Sequence, residues 1–230
     1  MQIAKVAGLM MGLTILLVAV GSWLGGSQGA VLMFIVSLVL NVGTYWFSDR
    51  MVLRMYKARI ISREDAPELY GMIERLAVRA ELPTPTVAIS PQPQPNAFAT
   101  GRNAEHGVVC FTEGILQALS VKELEGVTAH ELAHIKHRHM LVGTVAASMA
   151  GAIATLAAIA RWGLIFGSNR EGQNPLGLLV GIIVAPLAAT IIRLAISRQN
   201  EFQADATAAE IAGGPEGLVS ALGRLESMGR

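Results

Sequence analysis

The chain has 230 residues and a formal net charge of +1; 52% of its residues are hydrophobic and only 15% are charged. Soluble domains carry about 25% charged residues, so this composition argues against an ordinary soluble protein. The small net charge gives no electrostatic basis for binding nucleic acid. The single cysteine, Cys110, cannot form an internal disulfide, so an oxidising compartment is not implied.

The N-terminal part of the chain predicts two transmembrane helices. No charged side chain occurs between Val6 and Ser48, and one span needs roughly 20 apolar residues. The glycine-rich stretch at 25–29 interrupts this segment as a tight turn would, so we expect helices near 6–24 and 30–47. A cleaved signal peptide is a poorer interpretation of the first helix, because a second hydrophobic run follows immediately.

The polar segment at 49–139 predicts a small globular domain. A helix with polar capping residues at its start and one apolar face is expected at 62–80. Short β-like runs follow at 86–89 and 107–111, separated by a proline-rich loop, and another helix is expected at 113–119.

Two further spans are expected near 140–160 and 175–194, within a second membrane region at 140–196. The first of them is rich in Ala and Gly, which permits close helix packing in a membrane bundle. Lys and Arg residues accumulate beside the spans in the polar segment and in the tail at 197–230, and this bias favours the cytoplasm for both. A buried hairpin in a soluble protein is the alternative for 140–194.

Four histidines are concentrated in HELAHIKHRH, residues 130–139, on a helix whose start is marked by a capping box at 120–123. His130 and His134 are one turn apart on one face, so their imidazoles can share an ion, and Glu131 can reach a water on that ion. Neutral imidazole is a good ligand for Zn²⁺. Ionisable residues on a partly buried helix are costly without partners, which favours a metal site over a solvated pair of histidines.

A catalytic zinc site needs a third protein ligand and leaves one position for water. Glu201 is the best candidate, and Asp205, one turn further on, can accept the free N–H of a zinc-bound imidazole. A solvated acidic helix face is the alternative for these two residues. His137 is the alternative third ligand, because it shares the His130 face. It is disfavoured because it lies two turns from His130, about 10.5 Å along the helix, which is too far for one ion to bind both without stretched geometry. His139 is expected on the opposite side of the helix, among lipid headgroups at the cytoplasmic end of a span.

These features resemble the HtpX family of membrane metalloproteases, relatives of the CAAX prenyl proteases and the mitochondrial Oma-type peptidases. The resemblance rests on two N-terminal spans, a polar domain ending in HELAH, two further spans and the RQNEFQAD segment. It implies one zinc ion per chain, held by His130, His134 and Glu201, with Glu131 as the general base.

The resemblance also implies a substrate-binding edge strand, to which a peptide adds by main-chain hydrogen bonds. This strand would contain Asn96, Ala97, Phe98 and Ala99, although the residues by themselves suggest only a small loop.

The implied fold is a mostly α-helical integral membrane protein, with four transmembrane helices and a cytoplasmic α+β, zincin-like (gluzincin) metalloprotease domain. The implied activity is cleavage of misfolded or damaged membrane proteins at the cytoplasmic face of the inner membrane, in protein quality control and the stress response. The partners are then unfolded membrane proteins and the lipid bilayer. Many family members carry an acidic residue in place of His139. Members also continue with a segment containing a His-Pro element, so the tail at 197–230 is expected to be truncated.

Metal-assisted peptide hydrolysis is the expected mechanism: zinc activates a water, and Glu131 takes its proton and passes it to the leaving amine. Intramembrane cleavage is an alternative, disfavoured because Lys136 and Arg138 put the zinc near the membrane interface. CAAX-type processing is another, for which more than four spans would be expected. A membrane scaffold with an incidental HExxH motif is the non-enzymatic alternative, and it would be indifferent to the Glu131→Gln change.

Overall fold

The computed structural model describes residues 2–151 and 198–229 of the chain. The chain divides into two compact units. The first contains Ile3–Trp46 and the described residues 145–151, and the second contains Phe47–Thr144 and the described residues 198–229.

Two apolar helices begin the chain: α1 (Gln2–Trp23) and α2 (Gly25–Met55). Both are long and apolar enough to cross a membrane, in agreement with the prediction of two N-terminal spans. The break between them occurs at Gly25 and Gly26, and Gly26 has a φ of 58°, a conformation that glycine adopts without a steric penalty. With 31 residues, α2 is about 46 Å long, which exceeds the hydrocarbon thickness of about 30 Å. The prediction that this helix ends near residue 47 was therefore too short.

A polar contact joins α1 to α2 within the first unit. The Asn41 amide donates to Thr14 Oγ1 at 3.0 Å and to the Met10 carbonyl at 3.3 Å. Many of the large apolar side chains on these helices are exposed, as is expected of helices that face lipid. They include Ile3, Met11, Ile15, Trp23, Val31, Leu32, Phe34, Ile35, Leu38, Val39 and Val42.

The second unit contains a four-stranded sheet of β1 (Arg59–Ile60), β2 (Thr86–Ser90), β3 (Ala97–Thr100) and β4 (Val108–Thr112). The strand order is β1-β2-β4-β3; β2 and β4 are parallel, and the other two pairs are antiparallel. Every residue of β4 is buried, which explains its continuous apolar sequence. Strand β3 lies at the edge, and a 3₁₀ turn (Ala104–His106) connects it to β4.

The helices predicted around this sheet are α3 (Pro67–Arg79) and α4 (Glu113–Ala118). Helix α4 agrees with its predicted position, and Thr112 caps it by accepting the Ile115 N–H. The predicted start of α3 at residue 62 was wrong. Ser62 instead donates its N–H and its hydroxyl to Asp65 Oδ2, which closes a turn before the helix. The helix begins at Pro67, because proline suits the first helical position, where no N–H is needed.

Helix α5 (Val121–Lys136) carries the HELAH motif and packs between the sheet and the C-terminal helices α7 (Arg198–Ala212) and α8 (Glu216–Met228). The predicted capping box is confirmed: Ser120 Oγ accepts the Glu123 N–H, and the Glu123 carboxylate accepts the Ser120 N–H. The hydrophobic core joins these elements through buried residues of α3, β2, β4, α5 and α7. They include Met72, Ile73, Leu76, Val87, Val109, Phe111, Leu132, Ala133, Ile135, Ala204, Ala208 and Ile211.

Two features hold α8 against α5. Gly126 allows the backbones to approach closely, because a Cβ there would lie 2.3 Å from the Leu218 nitrogen. The Glu123 carboxylate, which is almost fully buried, accepts from Ser220 Oγ at 2.7 Å and from Arg224 Nε at 3.0 Å. The Ser120 N–H and these side-chain donors lower the pKa of Glu123 to about 2.

Helix α5 does not continue into the predicted third span. It ends at Lys136, Arg138 adopts a φ of 56°, and a new helix, α6 (His139–Gly151), begins immediately. The third span was predicted at 140–160, and its residues 152–160 lie outside the described residues. All of the fourth predicted span, at 175–194, also lies outside them.

Candidate metal centre

His130 and His134 lie one turn apart on α5, and their Nε2 atoms are 3.0 Å from each other. Their side chains are 17% and 15% exposed, so both rings are mostly buried, with their Nε2 edges directed to a common point. Two imidazole nitrogens at this separation can bind one cation.

Helix α7 brings a carboxylate to the same point. Glu201 Oε2 lies 3.6 Å from His130 Nε2 and 3.7 Å from His134 Nε2. Helix α7 approaches α5 closely because its contact face carries the small buried residues Ala204 and Ala208. The structure therefore brings together three residues that are separated by up to 71 positions in the chain and could hold a metal ion.

The geometry of these three residues fits zinc. A tetrahedral ion with bonds of about 2.1 Å holds its ligand atoms about 3.4 Å apart, and the three observed separations lie on both sides of that value. Two imidazoles and one carboxylate form the ligand set of several catalytic zinc sites. Because the Glu201 side chain is 49% exposed, water can reach the point where the three ligand atoms meet.

Asp205 lies one turn after Glu201 and contacts the other side of the His130 ring. Its Oδ1 atom is 3.0 Å from His130 Nδ1. The Nδ1–H and the carboxylate are not aligned as a hydrogen bond in this structure, so the Asp205 side chain must rotate to accept the proton. A carboxylate that accepts the Nδ1–H leaves the Nε2 lone pair available to a metal.

Glu131 lies beside the three possible ligands and is 8% exposed. Its Oε2 atom accepts the backbone N–H of Ala99, in strand β3, at 2.7 Å. Burial raises the pKa of Glu131 to about 8; the nearby Glu201 also raises it, while the Ala99 N–H lowers it. A cation between the three ligand atoms would lower this pKa, because an opposite charge favours the carboxylate.

Among the residues that the structure describes, strand β3 pairs with β4 alone, and its other edge faces Glu131. Phe98 pairs with Cys110 and Ala99 pairs with Val109 in the antiparallel ladder with β4. The Asn96 carbonyl accepts the Thr112 N–H, so alternate residues bond to β4, and the N–H and C=O groups of Ala97 and Ala99 point away from it.

The residues implied as an edge strand by the family resemblance thus occupy β3 and the position just before it. The run was too short and too small in its side chains to be recognised from local pattern alone.

His139 does not lie where the helical periodicity predicted. It is 6% exposed, and its Nδ1 atom is 3.3 Å from Nδ1 of His134, so the expected position among lipid headgroups was wrong. The cause is the left-handed conformation of Arg138, which ends α5 and turns His139 back toward the site. Burial lowers the pKa of His134 to about 3, and the neighbouring histidines add to this effect.

His137 contacts α7 rather than the metal ligands. Its Nε2 atom is 2.9 Å from Thr207 Oγ1, and its Nδ1 atom is 3.3 Å from Gln203 Nε2. Burial lowers the pKa of His137. His106, by contrast, is exposed on its 3₁₀ turn, as expected.

Comparison with known proteins places this site in a family. The model of peptidase family M48 matches residues 63–226, which include the HELAH motif, Glu201 and Asp205. A protease HtpX homolog from Gemmatimonas aurantiaca is 55% identical over 98% of this chain and 81% of its own length. Another from Pyrococcus furiosus is 52% identical over 95% of this chain and 77% of its own length.

A solved structure, Ste24p of S. mikatae, shares the fold with a TM-score of 0.51 and 19% sequence identity. The similarity covers 95% of this chain, which spans 55% of the Ste24p chain. Together with the two apolar N-terminal helices, the matches to the peptidase family and to the HtpX homologues identify the protein class. The chain belongs to peptidase family M48 and, within it, to the HtpX group of membrane-bound metalloproteases.

Proposed function

We propose that this protein is a zinc-dependent endopeptidase that cleaves misfolded or damaged membrane proteins at the cytoplasmic face of the inner membrane. The observation that carries the proposal is the convergence of His130 Nε2, His134 Nε2 and Glu201 Oε2 beside a buried Glu131 that touches a free strand edge. Metal ligands, a general base and a peptide-binding edge then lie within one small region.

In this proposal each residue has one task. His130, His134 and Glu201 hold one zinc ion per chain, and Asp205 accepts the Nδ1–H of His130 and orients its ring. Glu131 is the general base. When bound, zinc polarises a scissile carbonyl and increases the acidity of water.

The substrate binds as an additional strand beside β3. The outward N–H and C=O groups of Ala97, together with the C=O of Ala99, are oriented to pair with an extended peptide. Asn96 and Phe98 belong to the same proposed substrate-binding segment. The Asn96 carbonyl bonds to β4 and Phe98 pairs with Cys110 of β4, so these two residues hold the strand in place. Main-chain recognition of this kind gives little side-chain selectivity, which suits the removal of unfolded segments of many sequences.

Proton transfer by Glu131 then supports hydrolysis. The Glu131 carboxylate takes a proton from the attacking water and delivers it to the amine that leaves, so that the peptide C–N bond is replaced by a carboxylic acid and an amine. The Ala99 N–H orients the Glu131 carboxylate through their 2.7 Å hydrogen bond.

The proposed membrane organisation has four spans and a zincin-like (gluzincin) catalytic domain. The spans lie in 1–48 and 140–196, while 49–139 and 197–230 form the catalytic part on the cytoplasmic side. The described α1 and α2 and the basic residues flanking the predicted spans support this arrangement.

The test is cleavage of an unfolded model protein by the full chain, purified in detergent with a chelator and then supplied with zinc. Wild type should cleave only with zinc, and Glu131→Gln should bind zinc but lose activity by a factor of at least about 10²–10⁴. Asp65→Asn, a change in an exposed turn of the same unit, serves as the matched control and should retain activity.

Three results would count against the proposal. Activity that survives in Glu131→Gln would exclude this base. Cleavage restricted to prenylated C-terminal peptides would favour CAAX-type processing. The absence of bound zinc in wild type would remove the metal site itself.

A further inference from the structure

A row of polar side chains connects the metal-binding face of α5 to α7, beyond the residues already assigned a role. His139 Nδ1 lies 3.3 Å from His134 Nδ1, and His139 Nε2 lies 3.2 Å from Gln203 Oε1. Gln203 Nε2 lies 3.3 Å from His137 Nδ1, and His137 Nε2 lies 2.9 Å from Thr207 Oγ1. Four successive contacts therefore run from His134 to Thr207.

The donor in each of these contacts is determined once His134 binds a metal through Nε2. Its ring proton is then on Nδ1, so His139 Nδ1 must accept it, and His139 carries its own proton on Nε2. That proton points to Gln203 Oε1, which is an acceptor. The Gln203 amide nitrogen is a donor, so His137 Nδ1 accepts and His137 Nε2–H donates to Thr207 Oγ1.

The four contacts are thus mutually consistent. No two donors and no two acceptors face each other, although the two rings and the amide could each have been oriented the other way. Hydrogen bonds whose donors and acceptors match in this way hold the side chains in one arrangement.

We propose that His139 is a positioning residue for His134, held in turn through Gln203 and His137 to Thr207. This inference rests on the proposed metal-binding role of His134. It gives the two histidine ligands different supports: Asp205 contacts His130, and a neutral imidazole contacts His134.

The arrangement also explains why α7 is aligned so closely with α5. Helix α7 supplies Glu201 to the metal site, and it supplies Gln203, two residues later, and Thr207, one turn after Gln203, to the hydrogen-bonded row. Orientation of His134 and placement of Glu201 consequently depend on the same helix.

Zinc affinity measured by competition with a chelator tests the proposal without relying on activity. His139→Ala removes the acceptor for His134 and should weaken zinc binding by about 10–100-fold. His139→Asn places an amide oxygen close to the position of Nδ1 and should recover most of that affinity. His106→Ala, which removes an exposed histidine, should bind zinc like wild type.

A spectroscopic measurement distinguishes positioning from a general structural role. In ¹⁵N-histidine NMR spectra of the zinc-loaded full chain, His137 and His139 should both be neutral with the proton on Nε2. Thr207→Val has nearly the same shape and is expected to fold, and it should alter the His137 Nε2–H signal while zinc remains bound.

The proposal is overturned if His139→Ala binds zinc with wild-type affinity, if Asn restores no more affinity than Ala, or if His139 carries its proton on Nδ1. If wild type itself binds no zinc, the proposed function fails and this inference fails with it. Normal zinc binding that is insensitive to His139 overturns this inference alone.

Discussion

The Glu131 carboxylate has two properties that act on its pKa in opposite directions: it is almost fully buried, and it accepts the backbone N–H of Ala99 from a strand edge. Burial favours the protonated form, while the Ala99 N–H favours the charged form, and burial has the larger effect. Without a metal ion the pKa of Glu131 is therefore raised to about 8, and a cation bound between the three possible ligands would lower it.

The raised pKa of Glu131 predicts a pH-dependent stability of the chelated protein. The folded-state pKa of about 8 exceeds the ordinary value of 4.5, so the folded state binds more protons between these values. The contribution of Glu131 to the free energy of unfolding is full below about pH 4.5 and is lost as the pH rises through about 8. Glu131→Gln does not titrate and should become more stable relative to wild type over this range. Thermal unfolding in detergent from pH 5 to 9 measures this, and parallel profiles for the two proteins would contradict it.

Glu201 provides a second test at the scale of single residues. Glu201→Gln keeps the size of the side chain but removes the anionic ligand, and zinc affinity should fall by more than about 100-fold, beyond the effect typical of outer contacts. Glu210→Gln changes an exposed carboxylate on the same helix and should leave the affinity within a factor of about 3. Chelator competition measures both, and equal affinities would remove Glu201 from the ligand set.

At the scale of secondary structure, the position of helix α5, which carries the HELAH motif, depends on its contacts with α7 and α8. Helix α8 touches α5 where Gly126 meets the backbone of Leu218, and Glu123 ties the start of α5 to Ser220 and Arg224. These contacts lie in the N-terminal half of α5, and Gly126 is one turn before His130 on the same face. A displacement of α8 should therefore be transmitted to the site through α5.

Gly126→Ala tests this helix contact. The new Cβ would lie 2.3 Å from a backbone nitrogen, so α8 must move, and the free energy of unfolding should fall by about 1–3 kcal/mol. Gly71→Ala is the matched control, because its nearest neighbour is the flexible end of Arg75 at 3.7 Å. That substitution should be neutral or stabilising by about 0.5–1 kcal/mol. Denaturant unfolding compares the two, and equal stabilities would show that the helices can separate without cost.

At the scale of the whole molecule, the two N-terminal helices determine where the enzyme is located. Their outward side chains are large, apolar and exposed, so contact of these side chains with water costs free energy. The proposed catalytic and metal-binding residues all belong to the second unit, which has its own core and sheet.

The expected behaviour is that of an integral membrane protein. The full chain should remain in the membrane fraction after washing with alkaline carbonate and should be released only by detergent, because α1 and α2 are buried in hydrocarbon. Fractionation followed by immunoblotting tests this. Release by carbonate would show that these helices do not span the bilayer.

Local sequence pattern predicted the elements whose cause is local. The length and apolarity of the first helices, the capping box at Ser120 and the shared face of His130 and His134 all follow from composition or helical period. The same reasoning was wrong for the start of α3 and for His139, because each depends on a turn that periodicity does not describe. The left-handed conformation of Arg138 changes the direction of the chain after it, so the helical period of α5 does not predict the position of His139.

The sequence by itself therefore determined which residues are chemically equipped to bind a metal and which segments are apolar enough to enter a membrane. Only the tertiary structure decided that Glu201 Oε2 lies within 3.7 Å of both His130 Nε2 and His134 Nε2, that Ala99 contacts Glu131 and that His139 contacts His134. The physical reason is that these contacts arise from packing between distant segments: small residues let α7 approach α5, and strand pairing places β3 beside Glu131. Such distances are determined by the shapes of the surfaces that meet, which no local period in the sequence describes.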